Sequence, residues 1–366
     1  MDVSSLFKAY YRENIVQPPT RIEKREFAFS LFNAEGMFRH ISFKTPDELN
    51  NYIRKNTPQH AYYSTAYYTY PSAPDMDEKV WEGADLVFDI DVDHIDTPCK
   101  PMHDTWKCKS CGAEGWGFVL KCPSCGSDMI DRQTWVCDQC ISVAREEMLK
   151  LIEILEEDFG LTREEMLVAF SGHRGFHLHI EDKTVLDLEQ EARREIADYV
   201  RGLGIDPELF MAKTGKLYRY KYGPEDPGWR GRIAKLLSLR AHLDTTLQAE
   251  QLKKLVLECV EEARANIDEK VTMDVKRLIR LPGTLHGKTG LKVVEMKVPD
   301  LEALDALEIL RKAIVFPEDP VKIEMNKWPR KILTHTLEGN QKVREVPLYL
   351  AVYLLLNSKD AKLVKV

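Results

Sequence analysis

Residues 85–93 read DLVFDIDVD. From Phe88 to Asp93 the apolar Phe88, Ile90 and Val92 alternate with Asp89, Asp91 and Asp93, so the two-residue period of a strand puts three carboxylates on one face. Asp is among the poorest strand residues. An ordinary half-buried strand covers its wet face with Thr, Lys or Ser instead. Carboxylates two residues apart on one face repel each other, and a site that keeps them normally supplies oxygen ligands to a divalent cation. The stretch therefore predicts a strand and a metal site together.

The chain around it has 366 residues, 44% of them hydrophobic, enough for one principal core with one or two smaller modules. No apolar run approaches the roughly 20 residues of a membrane span, and MDVSSLFKAYYRENI lacks signal-peptide character, so a soluble, cytosolic protein is expected. The net charge of −7 argues against a polyanion binder, but its distribution is uneven. Residues 211–240 hold eight Lys/Arg against two acidic residues, and 270–292 hold six against one, leaving −18 on the remainder. Such basic segments can carry phosphates, or can be ordinary solvated faces.

Outward from the opening stretch, EFAFSLF and FRHISF read as paired strands around the turn NAEG, and MLVAF and GFHLHI as two more. Helical spacing runs through SLFKAYYREN, through DLEQEARREIADYVRGLG and from Ala249 to Ile267, and strands resume at KRLIRLPG and LKVVEM. The chain closes on LEALDALEILRKAI and the apolar VPLYLAVYLLLN. The pattern predicts an α+β fold with a mixed sheet. The core would occupy 1–98, 141–185 and 262–366, interrupted by an insertion at 99–140 and a mainly helical one at 186–261.

Seven of the eight cysteines lie between Cys99 and Cys140, while Cys259 sits in a helical pattern as a small buried hydrophobe. Three CxxC pairs within 42 residues, without a secretion signal, point to zinc rather than to disulfides. Eight potential ligands make two closed four-ligand sites of the structural kind. The nested grouping sets Cys108, Cys111, Cys122 and Cys125 in a ribbon and closes Cys99, His103, Cys137 and Cys140 at its base as a knuckle. Interleaved pairing, or His94 in place of His103, remains open on spacing.

Two further stretches suit anions. In SGHRGFHLHI, 171–180, glycines permit a tight connection that leaves the Ser171 hydroxyl and the Arg174 guanidinium free, with His177 and His179 sharing one face. RLIRLPGTLHGKTGL, 277–291, again sets basic residues and a His among glycines. A third metal carboxylate could be Asp268 or Asp274, between which periodicity does not choose.

Together YYR at 10–12, REFAF at 25–29, VFDID at 87–91, SGHRGFH at 171–177 and LIRLPGTLHGKTG at 278–290 resemble, in that order, the catalytic small subunit of archaeal and eukaryotic-type DNA primase. The ribbon at 108–125 departs from the family pattern as an insertion into its zinc knuckle. The resemblance implies an enzyme of replication that joins ribonucleotides on single-stranded DNA without a pre-existing primer, with deoxyribonucleotides as a second substrate class left open. It implies Asp89, Asp91 and Asp268 as ligands of magnesium or manganese, and Ser171, Arg174, His177, His286 and Lys288 as the nucleotide-binding set. His173 stands where some relatives carry Arg. A large primase subunit would be the partner in a heterodimer, cytoplasmic and nucleoid-associated in an archaeon, nuclear in a eukaryote. Three competing readings are a polymerase of the same superfamily acting in end joining or damage tolerance, a metal-dependent nuclease, and a non-catalytic zinc-ribbon nucleic-acid binder. The last leaves the carboxylate strand without a role.

Overall fold

Alternation in the strand-like runs sorts their side chains onto two faces, and packing decides which face is dry. In Gly175–Ile180 the residues Phe176, Leu178 and Ile180 are fully buried. Against that face of the sheet lies the long helix Asp138–Phe159, whose Ile141, Ala144, Met148, Leu151, Ile152 and Leu155 recur at the three- and four-residue spacing of a helical stripe. Gly160, in the left-handed region at φ 69°, ends that helix. The opposite face of the sheet is left for His177, His179, Asp89 and Asp91.

This computed structural model describes residues 2–240, 245–337, 339 and 341–364, so 241–244 of the expected helical insertion fall outside it. One four-stranded sheet runs, in spatial order, Leu278–Arg280, Pro58–Ser64, Phe27–Leu31 and Phe38–Ile41. The other runs Val294–Lys297, Met166–Phe170, Gly175–Ile180 and Leu86–Asp91. The fold is α+β, but the strands divide into two sheets, and every ladder in both is antiparallel rather than mixed in direction. Two of these ladders, Phe27–Leu31 with Phe38–Ile41 and Met166–Phe170 with Gly175–Ile180, are hairpins with short turns, and the others join strands distant in sequence.

The loop 281–293 crosses from the edge strand of the first sheet to the edge strand of the second. The two tyrosines of the N-terminal helix Val3–Glu13 hold it: the Tyr10 hydroxyl donates to the Gly283 carbonyl at 2.9 Å, and the Leu285 N–H donates to the Tyr11 hydroxyl at 3.1 Å. Arg25 joins the sheets elsewhere, through a buried ion pair of 2.8 Å with Asp85 and a bond to the Ser64 carbonyl at 2.7 Å. A buried guanidinium is tolerable only with its charge and donors matched in this way.

Two satellites flank the sheets. Strands Thr105–Cys108, Glu114–Trp116 and Ile130–Gln133 form a small sheet with its own cluster of Trp106, Cys108 and Cys122. Beyond helix Gln190–Val200, whose Ala197 and Val200 pack in the main core, a second core gathers Tyr220, Trp229, Ile233, Leu237, Leu252, Val256 and Cys259. The basic segment there forms a hairpin, Met211–Thr214 with Leu217–Tyr220, and a helix, Trp229–Arg240. Arg232 is engaged by Glu153, Glu157 and Asp158, and Arg240 by Glu258 and Glu262, so part of the apparent positive excess is neutralised inside the chain.

Candidate active site

The acidic wall follows from the strand Leu86–Asp91. Burial of Phe88 and Ile90 fixes Asp89 and Asp91 on the other face, and the antiparallel register sets Asp89 opposite His177 and Asp91 opposite Gly175. A Cβ on Gly175 would lie 2.1 Å from the Ile90 carbonyl oxygen, so only glycine lets the two strands meet there. His177 Nε2 stands 3.4 Å from Asp89 Oδ1. The strand stops at Asp91, short of the expected Asp93: the Asp91 carboxylate accepts the Asp93 N–H at 2.9 Å and starts one 3-10 turn, Val92–His94. Such local capping competes with the sheet ladder. Asp93 therefore leaves the strand face, although it still lines the same cavity.

Burial, and after it the charges of Asp91 and Asp268, push the Asp89 carboxyl up to about 7 against the pull of Arg277 and Arg280. Asp91 is also raised, by burial and then by Asp93. A divalent cation beside two carboxyls raised in this way would favour their charged forms. Asp268 caps the short helix Glu269–Met273 and donates its N–H to the Asp89 carbonyl at 2.8 Å. Its side chain faces a neighbouring cavity with His94 and Arg201. Asp89, Asp91 and Asp268 do not draw their oxygens within 4.8 Å of one another; among the described residues only the two cysteine groups do so. Asp274, at the other end of that helix, accepts from the Lys276 N–H and is not among the main influences on either strand carboxyl. If Asp268 is the third carboxylate, Asp268→Asn is expected to weaken magnesium or manganese binding about tenfold or more, with Asp274→Asn within about twofold of the wild type. The reverse order in a metal titration would reassign the third carboxylate.

Across a cavity of about 290 Å³ stands a cationic wall of Arg277, Arg280 and Lys288 with the ring of His286. Arg280 lies over the Tyr62 ring at 5.1 Å and bonds His60 Nδ1 at 2.9 Å. His286 stacks on His173, ring centres 5.2 Å apart, and meets His60 edge-on at the same separation. The Lys288 N–H donates to His286 Nδ1 at 3.2 Å, which leaves the Nε2 of that ring as its N–H donor. Burial pulls His60 and His173 down to about 3 and His286 well below its ordinary value, each helped by neighbouring cations. The histidines are therefore neutral donors, and the positive charge comes from Arg and Lys. The turn 171–174 is pinned to this wall, since the Thr289 hydroxyl donates to the Gly172 carbonyl at 2.6 Å.

Among the residues expected from sequence, Asp89, Asp91, Ser171, His177, His286 and Lys288 line one cavity, and Asp268 borders it through the backbone. Arg174 differs. Its guanidinium, expected to be free for an anion, is 0% exposed and paired, with Asp104 at 2.7 and 3.0 Å and with Asp93. Buried without such partners the charge would be costly, so the guanidinium stays with these carboxylates and does not line the cavity. Sequence reasoning reached Arg277 and Arg280 only as basic residues of the stretch 277–291 and did not reach Tyr62 or His60, because the register that sets Arg280 against Tyr62 joins residues 218 apart.

The cysteines fall into two groups, Cys99, His103, Cys137 and Cys140, all buried, and Cys108, Cys111, Cys122 and Cys125, half exposed, each with ligand atoms within 4.8 Å of one another. His94 belongs to neither. No cysteine is in a disulfide. Sulfurs bound to one tetrahedral zinc at about 2.3 Å stand roughly 3.8 Å apart. Here Cys99 and Cys140 are separated by 3.5 Å, Cys137 and Cys140 by 3.7 Å, and Cys108 and Cys125, like Cys111 and Cys122, by 3.6 Å. Both donor sets could hold zinc as closed structural sites.

No helix among the described residues is long and apolar enough to cross a membrane. The profile of the family described as DNA primase small subunit matches residues 127–298. Along nearly its whole length the chain is similar to proteins named DNA primase small subunit PriS: 34% identical to that of Methanothrix thermoacetophila, over 95% of each chain, and 36% identical to that of Pyrobaculum calidifontis, over 97% of each. A third, from Cenarchaeum symbiosum, is 35% identical over 95% of each. With a cavity that sets carboxylates against fixed cations, and relatives matched over nearly the whole chain, this chain belongs to the DNA primase small subunit family.

Proposed function

We propose that the chain is the catalytic subunit of a DNA primase, starting short RNA strands on a single-stranded DNA template by nucleotidyl transfer, with a large primase subunit as its partner. The observation that carries this is the division of one cavity into a carboxylate wall, Asp89 and Asp91, and a cation wall, Arg277, Arg280, His286 and Lys288. Oxygen donors of this kind fit magnesium or manganese. Asp89, Asp91 and Asp268 would hold two such ions, which would supply activation of the attacking 3′-hydroxyl and neutralisation of the triphosphate. The chain's own part is orientation and charge. Lys288 and Arg280 face the phosphates and offset charge on the departing pyrophosphate, while His286 Nε2–H and the Ser171 hydroxyl donate to phosphate oxygens. The His177 ring lies beside Asp89, with Nε2 3.4 Å from its carboxylate.

A charge-assisted hydrogen bond is worth about 1.5–3 kcal/mol, roughly ten- to a hundredfold. His286→Ala and Lys288→Ala are therefore expected to raise the nucleotide KM about tenfold or more with template affinity within about threefold. Unchanged nucleotide KM in both variants would reduce this loop to an ordinary exposed turn. The function itself is tested by incubating the protein, with and without its large subunit, with unprimed single-stranded DNA, labelled nucleotides and magnesium or manganese. Labelled oligomers support the reading; degradation of the template without incorporation would indicate a nuclease instead.

A further inference from the structure

A line of buried groups runs from the knuckle to the carboxylate strand. His103 turns Nε2 toward Cys140 Sγ at 3.4 Å, and its Nδ1 meets Asp104 at 2.6 Å. Asp104, 1% exposed, also accepts from the Trp135 N–H at 3.1 Å, and it receives Arg174 Nη1 on both oxygens. The other terminal nitrogen of Arg174 pairs with Asp93, whose N–H donates to Asp91. The Arg174 carbonyl accepts the Val92 N–H at 3.2 Å, between the same two aspartates. Histidine, carboxylate, guanidinium and carboxylate thus alternate as donor and acceptor from one site to the other. Asp104 itself does not reach the cavity.

A histidine that ligates metal ordinarily donates its second N–H to a carboxylate, which fixes the ring and strengthens the ligand. In this chain that carboxylate is shared with an arginine that braces the end of the strand carrying Asp89 and Asp91. We propose that Asp104 and Arg174 are positioning residues that couple the two sites, so that zinc at the knuckle and magnesium or manganese at Asp89 and Asp91 strengthen each other's binding. The inference rests on the carboxylate reading above, and coupling between two binding sites is reciprocal.

The test measures zinc retention against a chromogenic chelator, and manganese affinity by electron paramagnetic resonance, on the full-length protein. Asp104→Asn is expected to release one zinc about ten- to a hundredfold more readily and to bind manganese about tenfold more weakly. Arg174→Lys keeps the charge but cannot reach Asp93 and Asp104 together, so it should retain zinc and still bind manganese about tenfold more weakly. It also serves if Asp104→Asn fails to fold. Cys111→Ser, in the ribbon, should lose one zinc with manganese affinity unchanged. Manganese affinity within about twofold of wild type in Arg174→Lys and in folded Asp104→Asn overturns the coupling, as does an equal loss in Cys111→Ser. Manganese bound alike by wild type and Asp89→Asn would overturn the carboxylate reading, and the coupling with it.

Discussion

Asp89→Asn is expected to abolish nucleotide addition, by at least about a hundredfold, while making the protein harder to melt. The loss follows because a metal-binding charge contributes several kcal/mol to this chemistry and each 1.36 kcal/mol is tenfold in rate. The gain in stability follows from the same carboxylate. Burial and the neighbouring Asp91 and Asp268 raise the Asp89 carboxyl to about 7 in the folded chain, against 3.8 as its ordinary value. Between those two values the folded state binds more protons than the unfolded one, so stability falls as pH rises, and the full cost is present above about 7. Without added magnesium or manganese, Asp89→Asn should therefore melt several degrees above the wild type at pH 8, a difference on the order of 3 kcal/mol, and should converge with it toward pH 4. Thermal melts at the two pH values check the sign. A variant that is both active and less stable contradicts the assignment of Asp89.

The second large effect separates the two cysteine sites. The wild type should carry two zinc ions per chain by elemental analysis. Cys137→Ser should destabilise the whole molecule, because Cys99, Cys137 and Cys140 are built into the main hydrophobic core beside Trp135 and Val136. Zinc binding at a closed thiolate site is worth about 10 kcal/mol or more, comparable to the entire stability of a domain. Cys111→Ser should lose one zinc and unfold only the small sheet around Trp106, whose cluster is separate, with the main melting transition within about 2 °C. Equal damage from both substitutions would mean that the sites share ligands.

The VFDID strand and the SGHRGFH hairpin were legible because a two-residue period records which side chains share a face. The end of the strand was not: an Asp91 side chain that caps the backbone of Asp93 competes with the ladder, and alternation cannot express that. The CxxC pairs were legible from spacing, since each holds two ligands locally, whereas the nested grouping, with His103 rather than His94, depends on contacts between residues up to 41 apart. The pairing of Arg174 was not, because Asp104 lies 70 residues earlier, inside the insertion. Likewise the YYR stretch was recognisable as a signature while its physical task, holding the loop 281–293 by two hydroxyls, appears only once the N-terminal helix packs beside that loop. Strands could be read singly, but their division into two sheets, and with it the cavity between Tyr62 and Asp89, depends on long-range register.

The central claim is that this one cavity begins a chain as well as extending it, and it is tested most directly by following two labels on unprimed single-stranded DNA. With magnesium or manganese, and with the large subunit present, label from the α-phosphate should enter every length of product. Label from the γ-phosphate should remain only at the 5′ end, and both signals should vanish in Asp89→Asn. Products that carry α-label but never γ-label, or that persist in Asp89→Asn, would contradict the account.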